Sequence, residues 1–477
     1  MAGPLIGRRP LLAGLAAAPL LMAQRSPADR PVQPFLGIRY GRAERFRAPR
    51  PEPGPPAFGA YGPPAPQAGA VGEGGSEDCL RLNIWTPGGP GARLPVLVYF
   101  HGGAYSTGTP NHPWLDGHRL AAHGNVVVVT VSHRLNAFGY LYLARLDPRF
   151  PDSGNAGQLD LILALQWIRA NIASFGGDAR SVMVFGQSGG GAKIATLMGM
   201  PAAAGLFHRA ATMSGQQVTV SGPQHATEWA QAYMRAVGAR NVDELLAMPL
   251  ARLVEGLSAR DPYLGSGVYF GPVLDMRWLG RHPFWPDANP QSNHIPLLLG
   301  NTREETRGFF APDHPKLVGL DWTNLATRMA DELRVDAHPE WVVAEYRRIY
   351  PAYSPEQVFF AATTAGRSWR GQVIEAEERA RAGAPAFVYQ LDYPPARHTA
   401  DIPLVFGTEY DLGGRAVSRA MMDAFLRFAR TGNPGWPAYT LPARRTMIFD
   451  RVSRVERDPR RAERELFARI PYIQPGT

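Results

Sequence analysis

The chain has 477 residues, 45% of them hydrophobic and 19% charged, proportions of a globular protein rather than a disordered or fibrous one. Its net charge of +9 comes almost wholly from arginine, because Lys193 and Lys316 are the only lysines. The arginines are dispersed and form no basic stripe with interleaved aromatics, so no nucleic-acid partner is expected.

From the start of the chain, Arg8-Arg9 is followed by an apolar run, Pro10 to Met22, and then by Ala23. A basic start, a short apolar middle and a small residue predict an export signal over residues 1–23, of the twin-arginine kind, and a periplasmic or secreted protein. The run is shorter than the roughly 20 residues a membrane span needs, so no stable membrane insertion is expected. Residues 24–477 are then read as a single domain. Within it, the Pro/Gly-rich stretch from Pro49 to Gly75 predicts a surface loop, since proline fixes φ and cannot donate to a strand ladder. Cys79, the single cysteine, excludes an intrachain disulfide and a cysteine-based metal site, and is expected to pack as a small buried hydrophobe.

The β-branched runs Leu94 to Phe100 and Asn125 to Ser132 predict buried strands. Gln158 to Ala173 predicts a helix with Ile162, Leu165, Ile168 and Ile172 on one stripe. Ser181 to Phe185 predicts a strand, Gly189 to Met200 a helix of small residues, and Ile295–Leu299, Phe387–Leu391 and Met447–Phe449 further strands. Strands alternating with helices predict an α/β fold, a large, mostly parallel sheet with helices on both faces. Residues 221–290 are expected to form helices and loops that wall a pocket, together with residues 310–370.

Two motifs carry chemistry. Gly186-Gln187-Ser188-Gly189-Gly190 is a G-x-S-x-G sequence between a predicted strand and a predicted helix. In α/β-hydrolases this context puts the serine on a strained turn that lifts its hydroxyl above the sheet, with glycines where a Cβ would clash. By itself the motif is a weak signal in so glycine-rich a chain; the flanking strand and helix raise it. His101-Gly102-Gly103-Ala104-Tyr105 follows another predicted strand. A glycine-rich turn there offers backbone N–H groups to the oxyanion of an acyl transfer, and the residue after the nucleophile, Gly189, supplies another.

With these motifs the chain resembles the type-B carboxylesterases, relatives of the cholinesterases. The blocks that carry the resemblance are Glu77 to Pro87 (EDCLRLNIWTP) and Phe175 to Gly190 (FGGDARSVMVFGQSGG), with Gly154-Asn155, Gly271 to Asp275 and Phe428 to Pro437 in support. The similarity covers about residues 35–450. It implies the α/β-hydrolase fold, carboxylic ester hydrolysis through an acyl-enzyme, a small-molecule ester as partner, and no metal or organic cofactor. It also implies a Ser188–Glu305–His398 triad: Glu305 in a block like G-T-x-x-D-E-G, with Glu304 one residue away as the alternative, and His398 opening a block like H-G-x-x-x-x-x-V-F-G. Gly103, Ala104 and Gly189 would form the oxyanion hole, Ala104 standing where the family often has a third glycine. Ser214 matches a serine that supports the acid. Asp401 is read as a local cap or a solvated charge.

Departures from the family bear on substrate. Gln187 stands where the family often has Glu, and the lone cysteine forbids the disulfide loop that carries a choline-binding aromatic, so a choline ester is not expected. Aromatics of the presumptive pocket wall, among them Trp229, Tyr263, Tyr269, Phe270, Trp285 and Phe309, are read mostly as core, with some lining an apolar acyl pocket. Two other readings stay open: a hydrolase specialised for a carbamate, lactone, amide or toxin ester, and a non-catalytic binding member of the family.

Overall fold

The computed structural model describes residues 31–69, 73–261, 266–408 and 413–474; the predicted export signal and Tyr263 lie outside these residues. Among the described residues twelve strands run in chain order: β1 (Gln33–Arg39), β2 (Gly41–Arg42), β3 (Arg50–Pro51), β4 (Arg81–Thr86), β5 (Leu94–Phe100), β6 (Val127–Val131), β7 (Gly177–Gln187), β8 (Arg209–Met213), β9 (Leu297–Thr302), β10 (Ala386–Leu391), β11 (Arg445–Phe449) and β12 (Arg454–Arg457). Among the described residues, ten of them form one sheet in the order β1-β4-β6-β5-β7-β8-β9-β10-β11-β12, and β2 pairs with β3 in a small ribbon. The six pairings from β6 through β11 are parallel, while β1, β4 and β12 join antiparallel at the edges.

The apolar runs become strands because both faces of the sheet are covered. On one face Val96, Val98 and Phe100 of β5 pack with Val127, Val129 and Val131 of β6 beneath the helices Ala156–Asn171 and Gly189–Met198. On the other, Leu97, Tyr99, Met183 and Phe185 pack against the helix Gly414–Thr431. Each fully buried Val, Leu or Phe here contributes roughly 1.5–3 kcal/mol, so a run such as Val127–Val131, buried throughout, can only be an interior strand. The predicted stripe Ile162, Leu165, Ile168 and Ile172 is buried as expected. Cys79 is buried in the first of these cores, and burial pushes its thiol pKa up, away from reactivity.

Residues 223–255 form three helices, Pro223–Val237, Val242–Ala247 and Leu250–Glu255, with a separate core that includes Trp229, Tyr233 and Phe270. A fourth core, absent from the sequence reading, joins helices between residues 325 and 364 to the helix Arg461–Phe467. The Pro/Gly-rich stretch is, in its described residues, loop apart from β3. It is also functional scaffolding: the Gln67 amide exchanges two hydrogen bonds with the backbone of Gly108, at 2.7 and 2.9 Å, and so braces the turn after β5.

The parallel sheet decides where the chemistry can lie. His101 follows β5, Ser188 follows β7, Ser214 follows β8, Glu305 lies just past β9, and His398 comes after β10. These five strands are consecutive in the sheet, so their carboxyl ends open on one crevice, the usual ligand site of an open α/β sheet. Glycine lets the loops there meet at backbone distance. A Cβ on Gly190 would sit 2.0 Å from the Phe100 carbonyl oxygen, one on Gly189 2.1 Å from that of Ala104, and one on Gly215 1.9 Å from that of Ser188. Gly190→Ala is therefore expected to lower stability by several kcal/mol, read as lost soluble yield or a depressed thermal midpoint. Gly280→Ala, where no heavy atom lies within 4 Å of the added Cβ, is the control and should leave the midpoint nearly unchanged.

Candidate active site

Ser188 sits between β7 and the helix Gly189–Met198 with φ 55° and ψ −125°, a left-handed φ that costs a non-glycine residue on the order of 1–3 kcal/mol. The turn is held by the Ser188 N–H donating to the Met213 carbonyl at 2.7 Å, and by the Ser188 carbonyl accepting from the Ala192 N–H at 3.1 Å. Around the same crevice Ala104 (φ 51°), Ser214 (φ 51°) and Thr399 (φ 74°) are left-handed too. Ala104 thus adopts the conformation a third glycine would take, and keeps its N–H.

Glu305 and His398 meet. His398 Nδ1 lies 2.5 Å from Glu305 Oε2, and the carboxylate is fully buried. Its other oxygen, Oε1, accepts from the Ser214 hydroxyl, from the Thr302 N–H at 2.6 Å and from the Asn301 amide at 3.3 Å. Burial alone would raise the Glu305 pKa; the adjoining imidazole and these donors more than offset it, and the carboxyl is held below its usual value. Glu304 is elsewhere: half-buried, it pairs with Arg307 at 2.5 Å. Of the two glutamates, Glu305 is the one whose carboxylate contacts the histidine ring.

Ser188, His398, Gly103, Ala104, Gly189, Ser214 and Glu305 all line one cavity of about 650 Å³. The Gln187 amide nitrogen lies 3.2 Å from His398 Nε2. Among the described residues no hydrogen bond joins that nitrogen to the Ser188 hydroxyl in this state. Of the aromatics proposed for the cavity wall, Tyr269 and Phe309 line it; Trp229 and Phe270 are core, and Trp285 is exposed. Four glutamines, Gln187, Gln216, Gln217 and Gln474, line the cavity beside Tyr269 and Phe309. Among the described residues there is no group of three or more His, Cys, Asp or Glu arranged to hold a metal, and no helix long and apolar enough to cross a membrane.

Two residues acquire roles the sequence did not announce. Lys193, on the helix after the serine, is fully buried and donates to the His101 carbonyl at 3.1 Å and the Ala104 carbonyl at 2.8 Å, pinning both ends of the glycine turn. Burial lowers its pKa to about 7. A lysine amid small residues, in a chain with only two lysines, was the available signal. Asp401 corrects one part of its sequence reading, the solvated charge. It opens the short helix Asp401–Phe406, but it is neither solvated nor peripheral: it is fully buried, and Oδ2 accepts from the Tyr389 hydroxyl at 2.9 Å. Burial, reinforced by the nearby Glu305 charge, pushes its pKa up to about 7.

A carboxyl whose folded pKa is raised adds no penalty below its unfolded value near 4. The penalty grows as pH rises from there and levels off above about 7. Asp401→Asn keeps an acceptor for Tyr389 and removes the charge. Its thermal midpoint relative to the parent should therefore rise between pH 5 and pH 8, measured as paired melting curves; a difference independent of pH would contradict the buried-charge reading.

Residues 22–464 match the model of the carboxylesterase family. The para-nitrobenzyl esterase of Bacillus subtilis is 34% identical over 422 residues, covering 82% of each chain. A crystal structure of a Geobacillus stearothermophilus carboxylesterase superposes with a TM-score of 0.82 at 34% identity, over 91% of this chain and 96% of that one. An esterase from Clostridium hathewayi, described as able to hydrolyse aliphatic aromatic polyesters, superposes with a TM-score of 0.74 at 30% identity, over 92% and 95% of the two chains. The sheet is that of the α/β-hydrolase fold, and the chain belongs to the carboxylesterase family, whose class of activity is carboxylic ester hydrolysis.

Proposed function

We propose that the protein hydrolyses carboxylic esters through an acyl-enzyme on Ser188, with His398 as general base and acid and Glu305 as its orienting carboxylate. The observation that carries this is the Glu305–His398 contact at 2.5 Å beside the strained Ser188 turn, within one cavity. With Nδ1 donating its proton to Glu305, the imidazole presents Nε2 as the base. The Ser188 hydroxyl turns to Nε2, taking the position beside which the Gln187 amide now lies, and attacks the ester carbonyl as its proton passes to Nε2. The tetrahedral oxyanion is met by the N–H groups of Gly103, Ala104 and Gly189; one such donor contributes roughly 2.7–4 kcal/mol in hydrolases of known mechanism. His398 then returns the proton to the departing alkoxide, the alcohol leaves, and water repeats the sequence on the acyl-enzyme to release the acid.

Ser214 acts through Glu305 rather than on substrate, as a positioning residue. Lys193 supports the oxyanion turn from behind by engaging the carbonyls of His101 and Ala104.

With a p-nitrophenyl ester, Ser188→Ala is expected to lower kcat by about 10⁴–10⁶-fold. Glu305→Gln should lower it by about 10³–10⁴-fold, whereas Glu304→Gln, which breaks only the ion pair with Arg307, should stay within about tenfold of the parent. Undiminished turnover in Ser188→Ala, or equal losses at the two glutamates, would overturn the assignment.

A further inference from the structure

The active-site cavity carries more positive charge than the proposed hydrolysis needs. Besides the catalytic set it is lined by Arg334 and Arg367. Its one acidic lining residue, Glu305, is already engaged by His398, Ser214 and Thr302. Arg367 lies in a single π-helical turn, Ala365–Trp369, a form common at functional sites. Its guanidinium stacks 4.4 Å above the Phe309 ring, and that ring lies 4.7 Å from the His398 imidazole, so one aromatic ring separates the guanidinium from the base. Arg334 follows the helix Leu325–Leu333 in a left-handed conformation, φ 54°. The two arginines are brought together because the end of that helix abuts Gly366, where a Cβ would lie 2.1 Å from the Leu333 carbonyl oxygen.

The local acids do not balance these cations. Glu332 is shared between Lys316 at 2.7 Å and Arg367 at 3.2 Å, and the exposed Asp331 reaches only Lys316, at 3.7 Å. Arg334 makes no ion pair with any described residue. Burial, and then the charge of Arg334, lower the pKa of Arg367, as expected where one guanidinium is set close to another without a full complement of anions.

We propose that this cavity selects esters that also carry a free carboxylate, monoesters of dicarboxylic acids, with the ester carbonyl at Ser188 and the carboxylate on Arg334 and Arg367. This rests on the ester-hydrolase reading and names its substrate class. Guanidinium groups bind carboxylate through paired, charge-assisted hydrogen bonds, and a partly desolvated pair holds it more strongly than exposed lysines do. Phe309 and Tyr269 supply apolar surface for the methylenes between the two ends. In the reaction the ester C–O bond breaks, the alcohol leaves with the proton carried by His398, and water supplies the hydroxyl of the new acid, so the product is a dicarboxylate. The glutamine at 187 agrees with this choice, since a glutamate there would set a negative charge beside the scissile carbonyl of an anionic substrate.

The test compares monoethyl with diethyl esters of succinate, adipate and suberate, followed by pH-stat on the full chain. The parent should favour at least one monoester over its diester by about tenfold or more in kcat/KM, a difference carried by KM. Raising NaCl to about 0.5 M should erode that ratio, because the attraction is electrostatic. Arg334→Gln, at an exposed position, and Arg367→Gln should each lower it by about tenfold, with Arg334→Lys restoring part of it. A parent that prefers the diesters, or a ratio untouched by salt and by both Gln variants, overturns the substrate assignment while leaving ester hydrolysis standing. Turnover of neither ester class, nor of p-nitrophenyl acetate, would overturn the hydrolase reading itself.

Discussion

Three glycines, Gly189, Gly190 and Gly215, let the serine turn, the strand end at Phe100 and the loop after β8 pass one another backbone to backbone, each at a distance no Cβ could share. The rest of the site depends on that closeness. It brings the Ala104 carbonyl against the start of the helix that follows Ser188, so the N–H groups of the glycine turn and of Gly189 belong to one small region. It also forces left-handed backbone on Ala104, Ser188 and Ser214. Conformations of that kind persist only where surrounding structure over-determines them. Here the surroundings are the buried parallel strands on either side, the Lys193 ammonium beneath the turn, and the Gln67 clamp on Gly108.

Charge is graded across the same region. Glu305 is kept ionised by its donors, while Asp401, three residues after His398 and with a tyrosine hydroxyl as its side-chain donor, is pushed toward the neutral form. Two carboxyls close together cannot both carry charge cheaply in a buried setting, and their different partners decide which does. Lys193, also buried, titrates near neutrality, and the neighbouring His101 and His133 are held neutral by burial and by its charge. Around the cavity itself, four glutamines and two arginines stand beside Tyr105, Tyr269 and Phe309.

Much of this was legible in the sequence, and the reason is locality. β5, β6 and the stretch Val182–Phe185 of β7 are short, largely apolar runs, the composition that interior parallel strands favour. The serine and glycine motifs encode turns whose geometry is set within a few residues. Two distant blocks noticed in the sequence even touch: the Asn155 amide donates to the Val273 carbonyl at 2.9 Å and accepts from the Val273 N–H at 3.1 Å. What escaped depended on packing between remote segments. Asp401 follows His398 by three residues and reads as a cap, and only the Tyr389 hydroxyl from β10 and the helices above reveal it as buried. Which side chains of the expected pocket wall reach the cavity depends on such packing: Arg334, just past the end of a helix, and Arg367 line it with Tyr269 and Phe309, while Trp229 and Phe270 serve a separate core.

The structure of the protein after reaction with a fluorophosphonate tests the convergence of these turns most directly. Phosphonylation should fall on the Ser188 hydroxyl, with the phosphoryl oxygen about 2.7–3.1 Å from the nitrogens of Gly103, Ala104 and Gly189, and with His398 Nε2 facing the serine oxygen. An adduct on another residue, or a phosphoryl oxygen turned away from those three N–H groups, would contradict it.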